Sequence, residues 1–225
     1  MKNKISALAG SITPRRFFGM LLGNVLIGTG SAILRLTLLG TDPFTGMNLG
    51  IAGFTGVSFI ICQTILNLSL FTVQIIFGRD LIGIGTIVNA LLLSVFVSGA
   101  YAILHYFTGD LTSFPVRLIT LVPGLLVIGL GLGLYQDAHL GVAPYDAIPL
   151  MVCARFPRLP FFVCRVALDG AATLVCFLTG GVVGIGTLAS AFGLGPIVNT
   201  FDRLFIRRLM APETGDSVGP GSRGR

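Results

Sequence analysis

The sequence predicts an all-α, polytopic membrane helix bundle of two repeats, and three observations predict it. Hydrophobic residues make up 53% of the 225-residue chain and charged residues 11%, against about 25% charged in an ordinary soluble domain. Mean hydropathy is +0.91, more apolar surface than one soluble core of this size can hide, so lipid must solvate much of it. Finally, residues 16–99 recur 101 positions later without insertion or deletion. Leu39-Gly40 followed by Pro43 returns as Leu140-Gly141 followed by Pro144, and the Gly-Ile-Gly-Thr at 83–86 returns at 184–187. A duplicated unit in so apolar a chain is a common plan for membrane transporters.

Each repeat supplies three apolar segments near the ~20 residues a crossing needs. They fall at 17–39, 58–78 and 84–106, then at 118–138, 160–178 and 185–205. The first outruns the ~7–15 residues of a signal-peptide core. It also lacks a closing small-x-small site and has its counterpart at 118–138, so it reads as a retained span. Each repeat adds a shorter apolar piece after its proline, at 44–56 and 144–156. At ~1.5 Å per residue each covers about 20 Å of a ~30 Å hydrocarbon core, so both read as short re-entrant helices.

Three crossings per unit is an odd number, which inserts the second unit upside down as an inverted repeat. With the N-terminal Lys2, Lys4, Arg15 and Arg16 inside, Arg79, Arg155, Arg158, Arg203, Arg207 and Arg208 also fall inside, and Arg117 alone falls outside. If the short pieces crossed as well, there would be eight spans and parallel repeats, with only Arg79 misplaced. The charge pattern fits both schemes; segment length favours six. The expected organisation is a cytoplasmic segment at 1–13, membrane repeats at 14–107 and 108–210, and a disordered cytoplasmic tail at 211–225, Pro-, Gly- and Ser-containing with no apolar period.

The net charge of +6 does not point to nucleic acid, because the basic residues sit at segment ends rather than in one patch. Cys62, Cys153, Cys164 and Cys176 lie in apolar segments without CxxC spacing and read as packed thiols. Neither they nor His105 and His139 suggest a metal, and the sequence implies no cofactor. No Ser/His/Asp or Cys/His constellation is visible, so an enzyme is not expected. The Gly-Ile-Gly-Thr elements lack the Gly-Lys-Ser/Thr ending of a phosphate loop and instead suit a turn into a closely packed helix.

Polar residues inside the apolar segments carry the functional expectation. Asp169 falls near the middle of 160–178, where an unpaired carboxylate costs ~2.5 kcal/mol or more. Arg165 stands one helical turn earlier on the same face. That spacing suits either a self-neutralising pair or a protonatable or cation-coordinating site. Asp42 precedes Pro43 and Asp146 follows Pro144, so both open short segments, where a carboxylate can cap a helix or lie on a solute path. Gln63, Asn67 and Gln74 share one face of the 58–78 segment. If inverted symmetry brings the second and fifth spans together, Asp169, Arg165, Asn67 and Gln63 line one polar cavity. Asn89 and its counterpart Ser190 follow the Gly-Ile-Gly-Thr turns.

The doubled Leu-Gly-x-x-Pro-aromatic element (Leu39 to Phe44; Leu140 to Tyr145, then Asp146) and the doubled Gly-Ile-Gly-Thr resemble the YczE/YyaS/YitT family of bacterial integral membrane proteins over roughly residues 14–207. The first copy departs from the pattern, with Thr45 where the second has Asp146. The resemblance implies a multi-pass protein of the bacterial plasma membrane and no defined activity.

Two functional readings follow. The leading one is a small secondary transporter of a small molecule or ion, with Asp169 as its binding or coupling carboxylate and the lipid bilayer as its surroundings. The other is a non-transporting scaffold or regulator that engages a cytoplasmic partner through Arg155, Arg158 and its basic C-terminal end. A homo-oligomer remains open in both.

Overall fold

A computed structural model of the chain describes residues 13–206. The expected N-terminal segment and the 211–225 tail, with Lys2, Lys4, Arg207 and Arg208, lie outside the described residues.

Among the described residues the chain is all-helical: α1 Pro14–Thr37, α2 Pro43–Thr55, α3 Phe59–Phe77, α4 Ile84–Thr108, α5 Phe114–Asp137, α6 Pro144–Arg155, α7 Phe161–Leu178 and α8 Ile185–Phe201. A single 3₁₀ turn, Arg79–Leu81, precedes α4, and a π turn, Asp202–Ile206, extends α8. Starts at 14, 43, 59 and 84 are followed by starts at 114, 144, 161 and 185, each within a residue of the 101-residue offset.

Prolines and glycines set the boundaries. Pro14, Pro43 and Pro144 occupy the first helical position, where the missing N–H is no loss. Asp42 caps α2 by accepting from Thr45 N at 3.0 Å, and Gly56 ends it in the left-handed region at φ 72°. Five helices, α1, α3, α4, α5 and α7, are long and apolar enough to cross a membrane. The expected sixth crossing, α8, has 17 α-helical residues before its ladder gives way to the π turn. Pro196 inside α8 contributes no amide hydrogen to that ladder. The short helices α2 and α6 have 13 and 12 residues, about two-thirds of the hydrocarbon core each.

The centre of the bundle is α1 against α5. A Cβ on Gly23 would lie 2.7 Å from the Gly131 carbonyl, and one on Gly30 would lie 2.8 Å from the Gly124 carbonyl. As the α1 number rises the α5 number falls, so the two helices run antiparallel, with glycine permitting backbone-to-backbone approach. Met20, Leu34, Ile128 and Tyr135 fill the buried surface around this seam. Next to it, α4 packs on α1 near Gly28 and Phe96, while α8 packs on α5 near Gly129 and Ile197.

Three backbone bonds tie the halves, one of them from Val142 N to the Leu81 carbonyl at 2.9 Å. Gly85 N donates to the Leu140 carbonyl and Gly186 N donates to the Leu39 carbonyl, both at 2.8 Å. Thr86 Oγ adds a bond to the Val142 carbonyl at 2.9 Å.

The short helices start deep. After α1 ends, the chain doubles back until Asp42 Oδ2 accepts from Ser31 Oγ at 3.0 Å, nearly two turns before the end of α1. From there α2 runs along α7, with Gly46 and Gly50 against Cys176. At the equivalent place in the second half α6 begins, and the rings of Phe44 and Tyr145 meet with centroids 4.6 Å apart.

Candidate functional site

A cavity of about 630 Å³ opens beside the place where α2 and α6 begin. Each wall follows from a local rule. Asp42 is held there by its cap and by Ser31. Asp146 sits in the first turn of α6, where the helix dipole favours a negative charge. Arg165 and Asp169 stand four residues apart on α7 and therefore project from one face. Tyr135, Ile128 and Leu132 of α5 form the opposite wall, and Asn199 and Ser190 of α8 close one side.

Arg165 is the hub of the polar part. Its Nη1 donates to Asp146 Oδ1 at 2.5 Å and its Nε donates to Asp169 Oδ2 at 3.1 Å. The other Asp169 oxygen accepts from Tyr145 Oη at 2.7 Å. Asp169 is only 4% exposed, so its charge is balanced by direct contacts rather than by water. The Tyr145 ring also lies against the guanidinium, 5.3 Å from its centre.

Of the residues the sequence put forward, Asp42, Asp146, Arg165 and Asp169 line this one cavity. Gln63 and Asn67 are buried elsewhere. The second and fifth spans do not form the expected pair: α3 packs on α4, α6 and α2, while α7 packs on α2, α6 and α8. The short helices wedge between those spans and take the place that direct pairing would have filled. Asn67 Nδ2 donates to the Ala90 carbonyl at 3.4 Å, and Gln74 Nε2 donates to the Val142 carbonyl at 3.3 Å. Asn67 thus joins α3 to α4, and Gln74 joins α3 to the connection before α6. The Gln63 amide is buried without a protein partner.

The structure adds residues that the sequence reading had not assigned to the site. Ser31 lies eleven positions before the carboxylate it binds, a distance no short motif exposes. Tyr145 was visible in the Pro-aromatic-Asp element, but its bond to Asp169 spans 24 positions. Asn89 reaches the cavity while donating to Asn24 Oδ1 at 2.8 Å.

No metal cluster of three or more His, Cys, Asp or Glu side chains occurs among the described residues. The site is one of charge pairs and aromatic rings.

A family model described as a family of unknown function, DUF6198, matches residues 14–203, nearly the whole of the helical region. The chain belongs to this family. It is 31% identical over 188 residues to an uncharacterized protein of Haemophilus influenzae, covering 81% of each chain. It is 22% identical over 160 residues to the uncharacterized membrane protein YczE of Bacillus subtilis, covering 71% of this chain and 72% of that one. Its identity to YyaS of Bacillus subtilis is 23% over 197 residues, covering 84% of this chain and 94% of that one. No solved structure matches. The YczE and YyaS matches bear out the resemblance carried by the doubled motifs. Together with the apolar helices, they make this family member a multi-pass membrane protein.

Proposed function

We propose that the chain is a small secondary transporter built from two inverted units, with its solute site in the cavity between the starts of α2 and α6. The observation that carries the reading is the convergence of Asp42, Asp146, Arg165 and Asp169 on one cavity where two short helices begin inside the bundle. Broken helices of this kind bring polar groups to mid-depth while their backbone stays buried in protein. The antiparallel α1–α5 seam and the paired bonds Gly85–Leu140 and Gly186–Leu39 support inversion of the second unit. On this reading the protein crosses the plasma membrane six times, α2 and α6 re-enter, and both termini are cytoplasmic. Arg79, Arg155, Arg158 and Arg203 then face the cytoplasm. Asp169 is the binding or coupling carboxylate, and no catalysis is assigned to the protein.

The test is solute-driven proton movement in everted membrane vesicles, read with a pH-sensitive dye while a panel of small amines, amino acids and carboxylates is added. Wild-type vesicles respond to at least one solute, and Asp169→Asn vesicles do not. A response equal in the two would remove Asp169 from the mechanism. Silence of the wild type across the panel would turn the reading toward a regulator acting through the exposed Arg155 and Arg158.

A further inference from the structure

The charge and the walls of the cavity narrow the solute further. We infer that the cavity takes an organic cation, a protonated amine or quaternary ammonium, and that Asp42 is the carboxylate that meets its charge. The inference deepens the transport reading by naming the solute class.

Charge is the first argument. Three carboxylates, Asp42, Asp146 and Asp169, face one guanidinium in the lining, leaving two negative charges in excess. Arg165 is committed to Asp146 and Asp169. No ion pair joins Asp42 to a cation among the described residues. Its oxygens accept from Thr45 N and Ser31 Oγ, each a single bond, and a carboxylate has room for about four. The starts of α2 and α6 contribute about half a positive charge each, which reduces the excess without reversing it.

Shape and lining supply the second argument. At about 630 Å³ the space is far larger than a bare ion needs and falls within the ~300–1,000 Å³ typical of small organic ligands. Aromatic rings line it: Phe44 and Tyr145 in mutual contact, and also the more exposed Phe161 and Phe162. Rings next to carboxylates suit an alkylated or protonated nitrogen.

The third observation is independent of charge. Tyr135 lines the cavity at 1% exposure, and its hydroxyl has no protein partner. A buried hydroxyl without a partner is costly, and a polar group on the ligand would satisfy it.

The probe is radiolabelled tetraethylammonium, bound at equilibrium to the full chain in nanodiscs of phosphatidylethanolamine and phosphatidylglycerol. Empty nanodiscs set the background, and radiolabelled benzoate is the anionic control. Wild-type protein binds tetraethylammonium saturably and does not bind benzoate. Asp42→Asn, which keeps an α2 cap, weakens tetraethylammonium about tenfold or more, the scale of one lost charge-assisted contact. Tyr135→Phe weakens a quaternary ammonium bearing a hydroxyl, such as choline, more than it weakens tetraethylammonium. Benzoate binding in place of tetraethylammonium, or undiminished binding by a folded Asp42→Asn protein, overturns the assignment. Solute-driven flux in vesicles without tetraethylammonium binding also overturns it, while leaving the transport reading intact. Saturable, Asp42-dependent binding without flux keeps the site and removes transport instead.

Discussion

Gly85 donates its backbone N–H to the carbonyl of Leu140 over 2.8 Å, and the same bond recurs in the other half from Gly186 to Leu39. The two glycines are equivalent by position, yet their surroundings differ. A Cβ on Gly85 would meet the Leu140 oxygen at 3.1 Å and the flexible Met20 side chain at 3.2 Å. A Cβ on Gly186 would press on the backbone carbonyl of Gly40 and reach Leu121 at 2.9 Å.

Gly186→Ala therefore destabilises the protein by about 2–3 kcal/mol through overpacking against backbone. Gly85→Ala costs less than about 1 kcal/mol, because Met20 can yield and alanine improves helix propensity. Thermal unfolding in detergent ranks the two variants. Equal losses would mean that the two inter-half contacts are equally tight.

At the site, stability and activity separate. Arg165→Ala leaves Asp146 and Asp169 without their countercharge, and breaking such a buried arrangement costs about 3 kcal/mol. Asp169→Asn leaves Arg165 paired with Asp146 and costs about 1 kcal/mol. Asp169→Asn in the Arg165→Ala background recovers part of the loss by removing one unpaired charge. On the transport reading, Asp169→Asn is thus folded and inactive. If it unfolds as readily as Arg165→Ala, the carboxylate is there for structure.

Much of this was legible in the sequence because membrane physics makes local signals strong. Helix spans follow from apolar run length, and α2 and α6 announced themselves by a proline start and a length short of the hydrocarbon core. Asp169 and Arg165 were readable together because helical spacing places them on one face. What the sequence could not show was which helices touch. Gln63 and Asn67 had the right polarity, but α3 packs on α4, α6 and α2 rather than on α7, and Asn67 bonds the α4 backbone at Ala90. Conversely, Ser31 and Tyr135 look like ordinary helix residues until α1 and α5 are placed beside the short helices. Tertiary packing decides these cases, and periodicity carries no record of it.

Sidedness gives the next prediction. Ser113 is exposed immediately before α5, and with six crossings it faces the outside. A single cysteine at this position, with the four native cysteines replaced, should react with an impermeant maleimide on intact cells. Protection until the cells are opened would place eight crossings in the membrane and make the two halves parallel, contrary to the antiparallel α1–α5 seam.

Cys153 on α6 and Cys164 on α7 have their sulfurs 3.4 Å apart, and both side chains are partly exposed. Mild oxidation with copper phenanthroline should join them, seen as the loss of two free thiols in the intact mass. The bond would lock α6 to α7. The Asp146–Arg165 pair already ties these helices together, so the transport reading has them move as one hairpin. On the transport reading, the wall that separates from that hairpin to release a solute is the α5 and α8 side, with Leu132 and Asn199. The cross-linked protein should therefore keep its solute-driven flux, and reduction should change nothing. Arrest on oxidation with recovery on reduction would show that α6 slides along α7 during the cycle, and the Asp146–Arg165 contact would then have to break at each turnover.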